Sequence, residues 1–284
     1  MQKIDITAKD GANIPTIFYE AENESKKGVA IICHGFGEHA ASYLEYAENL
    51  WRAGYASVIL NQRGHGKPPA NSKKFHGLIP KYQCFVDDVI SVTNKVKEMI
   101  PNSPLFLIGH SMGGNIAVNT LLRMPASEAS RFSCAVMESA WLGFHKPAKL
   151  HTTCMVGFLN LVAPDYTVSA KINYSDISAD EKRSAGYEKD PLYHGTISVR
   201  MLYGIAAAGR YAVKNANRLS VPTLLAYADN EVIVSNKAML EFADRAGDIV
   251  TVKEYDSNHA IHNDKSNELY FRDVIEFIDL HCGK

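Results

Sequence analysis

Short apolar runs alternate along the chain with segments whose apolar residues recur at helical spacing. Residues 28–33 and 105–108 are continuous apolar runs, as expected of strands covered on both faces. Between them, residues 82–100 place apolar side chains at intervals of three and four, which indicates an amphipathic helix. Strands that alternate with helices predict an α/β fold with a mostly parallel central sheet and helices on both faces.

The same pattern assigns the other elements and locates one interruption. Further strands are predicted at residues 2–8, 14–19, 57–60, 132–137, 222–227 and 249–255. Further helices are predicted at residues 40–53, 112–123, 236–246 and 267–280. Between them, residues 141–220 contain no clean strand pattern. We therefore expect a core domain formed by residues 1–140 and 221–284, with residues 141–220 inserted as a helical cap over one end of the sheet.

The overall composition excludes several classes of protein. The 284 residues are 46% hydrophobic and 21% charged, with a net charge of −1, which is ordinary for a globular protein. Lys and Arg form no cluster, so we expect no nucleic-acid partner. The five cysteines are scattered and form no CxxC pair, which favours buried thiols over disulfides or zinc ligands. With no leader-like or membrane-spanning apolar stretch in the sequence, we expect a cytoplasmic protein.

The strongest candidate for chemistry is Ser111, at the centre of Gly109-His-Ser-Met-Gly113. This motif follows a predicted strand and opens a predicted helix. Such a turn strains the serine backbone, requires small residues on either side, and lifts the hydroxyl away from the sheet. A glycine-rich turn with a purely structural serine is the alternative. The strand, turn and helix context favours a nucleophile.

A serine nucleophile needs a histidine base and an acid that orients it. His259 lies in the loop directly after the strand predicted at 249–255, while His262 falls in the following turn, so we assign the base to His259. Asp229 and Glu231 both follow the strand predicted at 222–227. The spacing alone does not choose between these two carboxylates.

Developing negative charge on the substrate oxygen requires two backbone donors. One is expected from Met112, the residue after the nucleophile. The other is expected from Phe36, because the glycines on either side of it allow its amide to turn inward. The sequence therefore predicts an oxyanion hole formed by the amides of Phe36 and Met112.

Together these segments resemble the α/β-hydrolase superfamily, and within it the monoglyceride lipase and lysophospholipase branch that is grouped with serine aminopeptidase-like hydrolases. The resemblance rests on four motifs outside the insertion: HGFGEH at 34–39, NQRGHGK at 61–67, FVDDV at 85–89 and GHSMGG at 109–114. Aligning residues 222–234 with that family without gaps places Glu231 at the acid position. The resemblance thus implies Glu231 as the acid, with Asp229 as the alternative.

The resemblance also implies an activity and a role for the insertion. We expect a serine hydrolase that cleaves monoacylglycerols, lysophospholipids or similar esters through an acyl-enzyme, without a cofactor or metal. An aminopeptidase or amidase, or a ligand-binding protein without turnover, are the alternatives. In the cap, we expect Trp141, Phe158 and Leu161 to bind substrate. The apolar residues 155–162 are expected to line an acyl tunnel, to contact a membrane surface transiently, or simply to pack on the core.

Overall fold

An eight-stranded sheet forms the centre of the protein in the computed structural model, which describes residues 1–20, 27–70, 72, 74–170 and 172–282. The strands in chain order are β1 (Gln2–Thr7), β2 (Asn13–Tyr19), β3 (Val29–Cys33), β4 (Ala56–Leu60), β5 (Leu105–His110), β6 (Phe132–Glu138), β7 (Thr167–Ser169), β8 (Thr196–Ser198), β9 (Thr223–Ala228) and β10 (Val250–Tyr255). The central sheet has the order β1-β2-β4-β3-β5-β6-β9-β10, and β2 alone runs antiparallel to its neighbours. The predicted mostly parallel sheet is confirmed.

Helices occupy most of the connections between these strands. They are α1 (Leu44–Arg52), α2 (Gln83–Met99), α3 (Met112–Arg123), α4 (Ala126–Ala129), α5 (Leu150–Val162), α6 (Tyr174–Ile177), α7 (Glu181–Lys189), α8 (Val199–Lys214), α9 (Asn236–Ala246) and α10 (Asn267–His281). Single 3₁₀ turns lie at Ala40–Tyr43, Ala216–Arg218, Gly247–Ile249 and Ile261–Asn263. The turn at Ile261–Asn263 holds one of the two candidate histidines.

The sheet separates two apolar layers, and β3 shows how its side chains alternate between them. Val29, Ile31 and Cys33 belong to the cluster that contains the buried faces of α2, α3 and α9. Ala30 and Ile32 belong to the cluster that contains α1 and α10. Because both faces are covered, every residue of β3 is buried, which explains its continuous apolar sequence.

The observed elements differ from the sequence predictions at three places. The helix predicted at 40–53 is divided into a 3₁₀ turn and α1, and the four-residue helix α4 was not predicted. Residues 141–220 contain the short antiparallel pair β7 and β8, where no strand was expected. Each of these strands has only three residues, and two of the three are polar (Thr167–Ser169 and Thr196–Ser198). They therefore lack the apolar run that identifies the other strands.

The segment between β6 and β9 has two parts with different surroundings. Residues 141–198 contain α5, α6, α7 and the β7–β8 pair. Helix α8 instead packs against α3, and its buried Met201, Ile205 and Ala208 join the apolar cluster of the core. Much of α8 therefore serves the core layer, and the position of a cap boundary at residue 221 remains a prediction.

The cysteines and the helix lengths bear on two further expectations. All five cysteines are free thiols; Cys33, Cys84 and Cys134 are buried, Cys154 is exposed and Cys282 is partly buried. Buried thiols are thus confirmed at three of the five positions. Among the helices of the described residues, none is both long enough and apolar enough to cross a bilayer.

Candidate active site

Ser111 lies in a sharp turn between β5 and α3. Its backbone has φ 52° and ψ −115°, a conformation that L-residues with side chains rarely adopt. The turn is held by hydrogen bonds from the Ser111 amide to Glu138 O (2.9 Å) and from the Trp141 amide to Ser111 O (2.9 Å). The strained turn expected from the motif is therefore present.

The glycines that flank Ser111 are required by close backbone approach. A Cβ at Gly109 would collide with the carbonyl of Gly113, and a Cβ at Gly113 would collide with the carbonyl of Cys33 at the end of β3. The second contact brings the start of α3 against the loop that follows β3. The motif thus places Ser111 beside the predicted oxyanion loop.

His259 and Glu231 form a buried hydrogen-bonded pair. The distance between His259 Nδ1 and Glu231 Oε2 is 2.6 Å. The other carboxylate oxygen, Oε1, accepts the amides of Ile233 (2.7 Å) and Val234 (3.1 Å), so the loop after β9 holds the carboxylate in one orientation. Both Glu231 oxygens are thereby assigned to distinct donors.

This pair shifts the pKa of both of its members. Burial raises the pKa of the Glu231 carboxyl, but His259 and the two backbone amides outweigh it, and the pKa lies below its ordinary value. Burial lowers the pKa of the His259 imidazole, but the Glu231 carboxylate outweighs this, and the pKa lies above its ordinary value. A carboxylate fixed at Nδ1 leaves Nε2 of the neutral ring free to accept a proton.

The alternative acid, Asp229, lies elsewhere. It is exposed, and its Oδ1 accepts the side-chain amide of Asn230 (2.9 Å) and the backbone amide of Ser257 (3.0 Å). These contacts fasten the loop after β9 to the loop after β10. The structure brings Glu231, and not Asp229, to His259.

His262 is engaged with a carboxylate that the sequence analysis did not single out. Its Nδ1 lies 2.8 Å from Glu138 Oε1, and its backbone amide donates to the same oxygen at 3.0 Å. Both residues are buried. The available signal was a carboxylate at the carboxyl end of a buried strand, because Glu138 is the last residue of β6.

A second buried carboxylate, Glu38, holds the predicted oxyanion loop. Its Oε2 accepts the Gly35 amide (2.6 Å) and the Tyr43 hydroxyl (2.6 Å), and lies 3.5 Å from His110 Nδ1. Burial raises the pKa of the Glu38 carboxyl, but His110 and its other partners outweigh it and hold the pKa well below its ordinary value. An ionised Glu38 therefore fixes Gly35, the residue before Phe36.

The two candidate oxyanion donors, Phe36 and Met112, lie in the loop after β3 and at the first position of α3, which approach each other where Gly113 meets Cys33. Phe36 lines the same cavity as Ser111, and within the described part of the chain its amide has no hydrogen-bond acceptor. Met112 is the first residue of α3, where amides have no partner inside the helix. The helix dipole adds a favourable potential for negative charge at that point.

A cavity of about 350 Å³ joins these groups. Ser111, His259 and Phe36 line it on the core side. Its apolar wall comes mainly from the segment between β6 and β9 and from the loop after β9. The residues are Val168, Ile172, Ile177, Ile197 and Ile233. An apolar cavity that opens onto a serine and a histidine suits a hydrocarbon chain attached to a reacting group.

The three residues predicted to bind substrate have different positions. Trp141 lines the cavity beside Ser111. Phe158 and Leu161 lie on α5 with exposed fractions of 63% and 80%, and neither lines the cavity. Helix α5 packs against α8, but none of its residues is fully buried. The structure does not bring Phe158 and Leu161 to the site.

Among the described residues, one group could supply ligands to a metal ion. Ligand atoms of His110, Glu138 and His262 lie within 4.8 Å of one another, and all three residues are buried. Hydrogen bonds already link Glu138 to His262, and His110 Nδ1 to Tyr43 (3.0 Å). A metal here would have to displace these bonds, and we assign none.

Comparisons with known proteins identify the family of this chain. The family model described as "Serine aminopeptidase, S33" matches residues 24–266. Relatives include a monoacylglycerol lipase of Mycolicibacterium smegmatis, 26% identical over 258 residues (90% of this chain and 89% of the relative). The monoglyceride lipase of Homo sapiens is 26% identical over 246 residues (84% and 77%).

A solved structure shows the same fold. A soluble variant of the Saccharomyces cerevisiae monoglyceride lipase, in complex with a substrate analogue, superposes with a TM-score of 0.85 at 22% identity, covering 100% of this chain and 95% of the other. Because the family model spans most of the sequence, the protein has the α/β-hydrolase fold and belongs to the serine aminopeptidase S33 family.

Proposed function

We propose that this protein is a serine hydrolase that cleaves carboxylic esters of single-chain lipids, with monoacylglycerols as the first candidates. The observation that carries the proposal is that Ser111 and His259 line the same cavity, while the Glu231 carboxylate lies 2.6 Å from His259 Nδ1. The family membership and the monoacylglycerol lipase relatives support the same activity.

In the proposed mechanism, each group acts in turn. His259 Nε2 takes the proton of Ser111 as the hydroxyl oxygen attacks the ester carbonyl. The amides of Phe36 and Met112 stabilise the oxyanion, and Glu231 stabilises the imidazolium that forms. His259 then protonates the departing alcohol, and a water molecule activated by the same histidine hydrolyses the acyl-enzyme.

A panel of soluble substrates tests the reaction class. We expect p-nitrophenyl esters and short monoacylglycerols to be hydrolysed, with kcat/KM rising as the acyl chain lengthens because the cavity wall is apolar. Initial rates measured over a series of acyl lengths check this. A rate that falls steadily as the chain lengthens would contradict an acyl-binding role for the cavity.

The same panel tests the alternative of an aminopeptidase. An aminoacyl substrate needs an acidic anchor for its amino group, and Asp176 lines the cavity. Asp165 instead pairs with Arg200 (3.0 Å). We expect aminoacyl anilides to react far more slowly than esters of similar size. A higher kcat/KM for the anilides would replace the esterase proposal.

The activity should require neutral His259. Because the carboxylate of Glu231 stabilises the imidazolium, the pKa of His259 lies above its ordinary value, about 6.5. We therefore expect kcat/KM to fall as the pH drops through a midpoint above 6.5, because protonated His259 cannot take the serine proton. A pH profile with a soluble ester checks this. An acid midpoint well below 6 would show that no carboxylate raises this pKa.

We also propose that α5 contacts a lipid surface. Leu150, Phe158 and Leu161 are exposed, the helix has no charged residue, and Lys146 and Lys149 precede it. An exposed apolar helix next to lysines suits an anionic membrane surface. A transient contact of this kind would deliver lipid substrates to the active site. We also propose that the enzyme is cytoplasmic.

A double variant tests the membrane contact. We expect Phe158→Ser with Leu161→Ser to lower the rate on monoacylglycerol presented in anionic vesicles by about tenfold, because two exposed apolar side chains no longer enter the lipid. The rate on a soluble p-nitrophenyl ester should stay unchanged. Leu280→Ser, at an exposed leucine of α10 (64% exposed), is the matched control. Equal vesicle activity of the double variant and wild type would refute the contact.

A further inference from the structure

A second cavity lies next to the one that contains Ser111. It has a volume of about 570 Å³ and is bounded by α5, α8 and residues 141–148. Trp141, Phe144 and Leu202 line both cavities, so these three side chains form the partition between them. The two cavities are therefore direct neighbours that share part of their lining.

The second cavity carries positive charge. Lys146 and Arg210 line it, and none of the described residues that line it is acidic. Within the described part of the chain, neither cation takes part in an ion pair or hydrogen bond. The hydroxyls of Thr152 and Tyr203 add two further donors to the lining. Two unpaired cations and two hydroxyls suit a phosphate or carboxylate group.

The cavity at Ser111 has the opposite character. Glu38 and Asp176 line it together with the histidines His110 and His259, and of the described residues that line it none is Lys or Arg. An anionic group placed beside Ser111 would meet these carboxylates, whereas the same group in the second cavity would meet Lys146 and Arg210. The charges of the two cavities therefore favour one orientation: the ester lies at Ser111, and an anionic end points across the partition.

We propose that the cavity between α5 and α8 is a subsite for the anionic end, a phosphate or carboxylate, of a single-chain lipid ester held at Ser111. The inference rests on the proposed esterase activity and selects, within the single-chain lipid esters, those that carry an anionic head group. In this arrangement the ligand passes beside Trp141, Phe144 and Leu202, which line both cavities.

The test compares two water-soluble esters with the same short acyl chain, a monoacylglycerol and its glycerol-3-phosphate counterpart, without vesicles. The wild type should show a lower KM for the phosphate ester. Lys146→Gln and Arg210→Gln should each raise that KM by about tenfold, because each removes a charge-assisted contact. The kcat/KM for the neutral ester should stay within about twofold of the wild type. Lys214→Gln, one turn further along α8 and outside the cavity lining, is the matched control.

Each contrary outcome has a distinct meaning. Equal KM values for the two esters in the wild type, or an equal rise in Lys214→Gln, would overturn the subsite. Inhibition of neutral-ester hydrolysis by inorganic phosphate that depends on Arg210, without a lower KM for the phosphate ester, would assign the cavity to a free anion and overturn the lipid assignment. If neither ester reacts, the proposed activity fails, independently of the subsite.

Discussion

Glu231→Gln is expected to lower kcat by about 10³- to 10⁴-fold while leaving KM nearly unchanged. The reason lies in the two backbone amides on Oε1. They require an acceptor, so the glutamine carbonyl takes that position and its NH₂ group faces His259 Nδ1. The imidazole must then accept at Nδ1 and carry its proton on Nε2, the tautomer that cannot deprotonate Ser111. Steady-state kinetics with a soluble ester measures the loss.

Asp229→Asn is the matched control for this substitution. Asp229 is exposed and contacts Asn230 and the Ser257 amide, so its variant should keep kcat within about twofold of the wild type. The pH profile adds an independent readout, because the residual activity of Glu231→Gln should lose the raised pKa of His259. Full activity in Glu231→Gln together with a large loss in Asp229→Asn would reverse the assignment of the acid.

Ser111→Ala is expected to lower kcat by about 10⁵- to 10⁶-fold, because without the hydroxyl no acyl-enzyme forms. The substitution should leave the fold intact. Alanine has the same backbone preferences as serine at φ 52°, and no hydrogen bond of the Ser111 side chain to another described residue is lost. Kinetics on a short monoacylglycerol, with circular dichroism to verify folding, measures the effect.

Ser139→Ala provides a closely matched control. Ser139 is the other non-glycine residue of the described chain with positive φ (43°), it directly follows β6, and its buried Oγ has no hydrogen-bond partner. It does not line the cavity at Ser111. We expect its variant to keep activity within about threefold of the wild type. If Ser139→Ala lowered kcat as much as Ser111→Ala, the loss in Ser111→Ala could be assigned to a disturbed backbone at a serine with positive φ, and not to the missing Ser111 hydroxyl.

The core of the fold was predictable because its signals are local. Continuous apolar runs identified the buried strands, and helical spacing identified α2, α9 and α10 within a few residues. The turn at Ser111 was equally predictable, since glycine at 109 and 113 is a direct steric requirement of the backbone. In such places the local sequence and the tertiary structure impose the same constraint.

The site was less predictable where it depends on distant contacts. Spacing alone does not choose between Asp229 and Glu231, which lie two residues apart. The family alignment implied Glu231, and in the structure the loop after β9 brings the Glu231 carboxylate to His259, 28 residues further along the chain. The pair formed by Glu138 and His262 joins β6 to the turn before α10, and sequence spacing carries no sign of it. These contacts arise only when the carboxyl ends of several strands are brought together.

The exposed face of α5 shows a different limit. Its apolar sequence fits a tunnel wall, a lipid contact or a packed helix equally well, because periodicity reports which residues share a face and not what covers that face. In the structure, Phe158 and Leu161 lie at the surface, while Trp141 lines the cavity. Which of these three roles α5 can take depends on how it packs against α8, and the local sequence does not encode that packing.

Covalent labelling with a fluorophosphonate probe shows directly whether Ser111 is an activated nucleophile. Intact-mass spectrometry should show one adduct on the wild type, and peptide mapping should place it on Ser111. Labelling should be greatly slowed in Glu231→Gln and absent in Ser111→Ala. An unlabelled wild-type protein, or an adduct on a residue other than Ser111, would show that Ser111 is not the nucleophile.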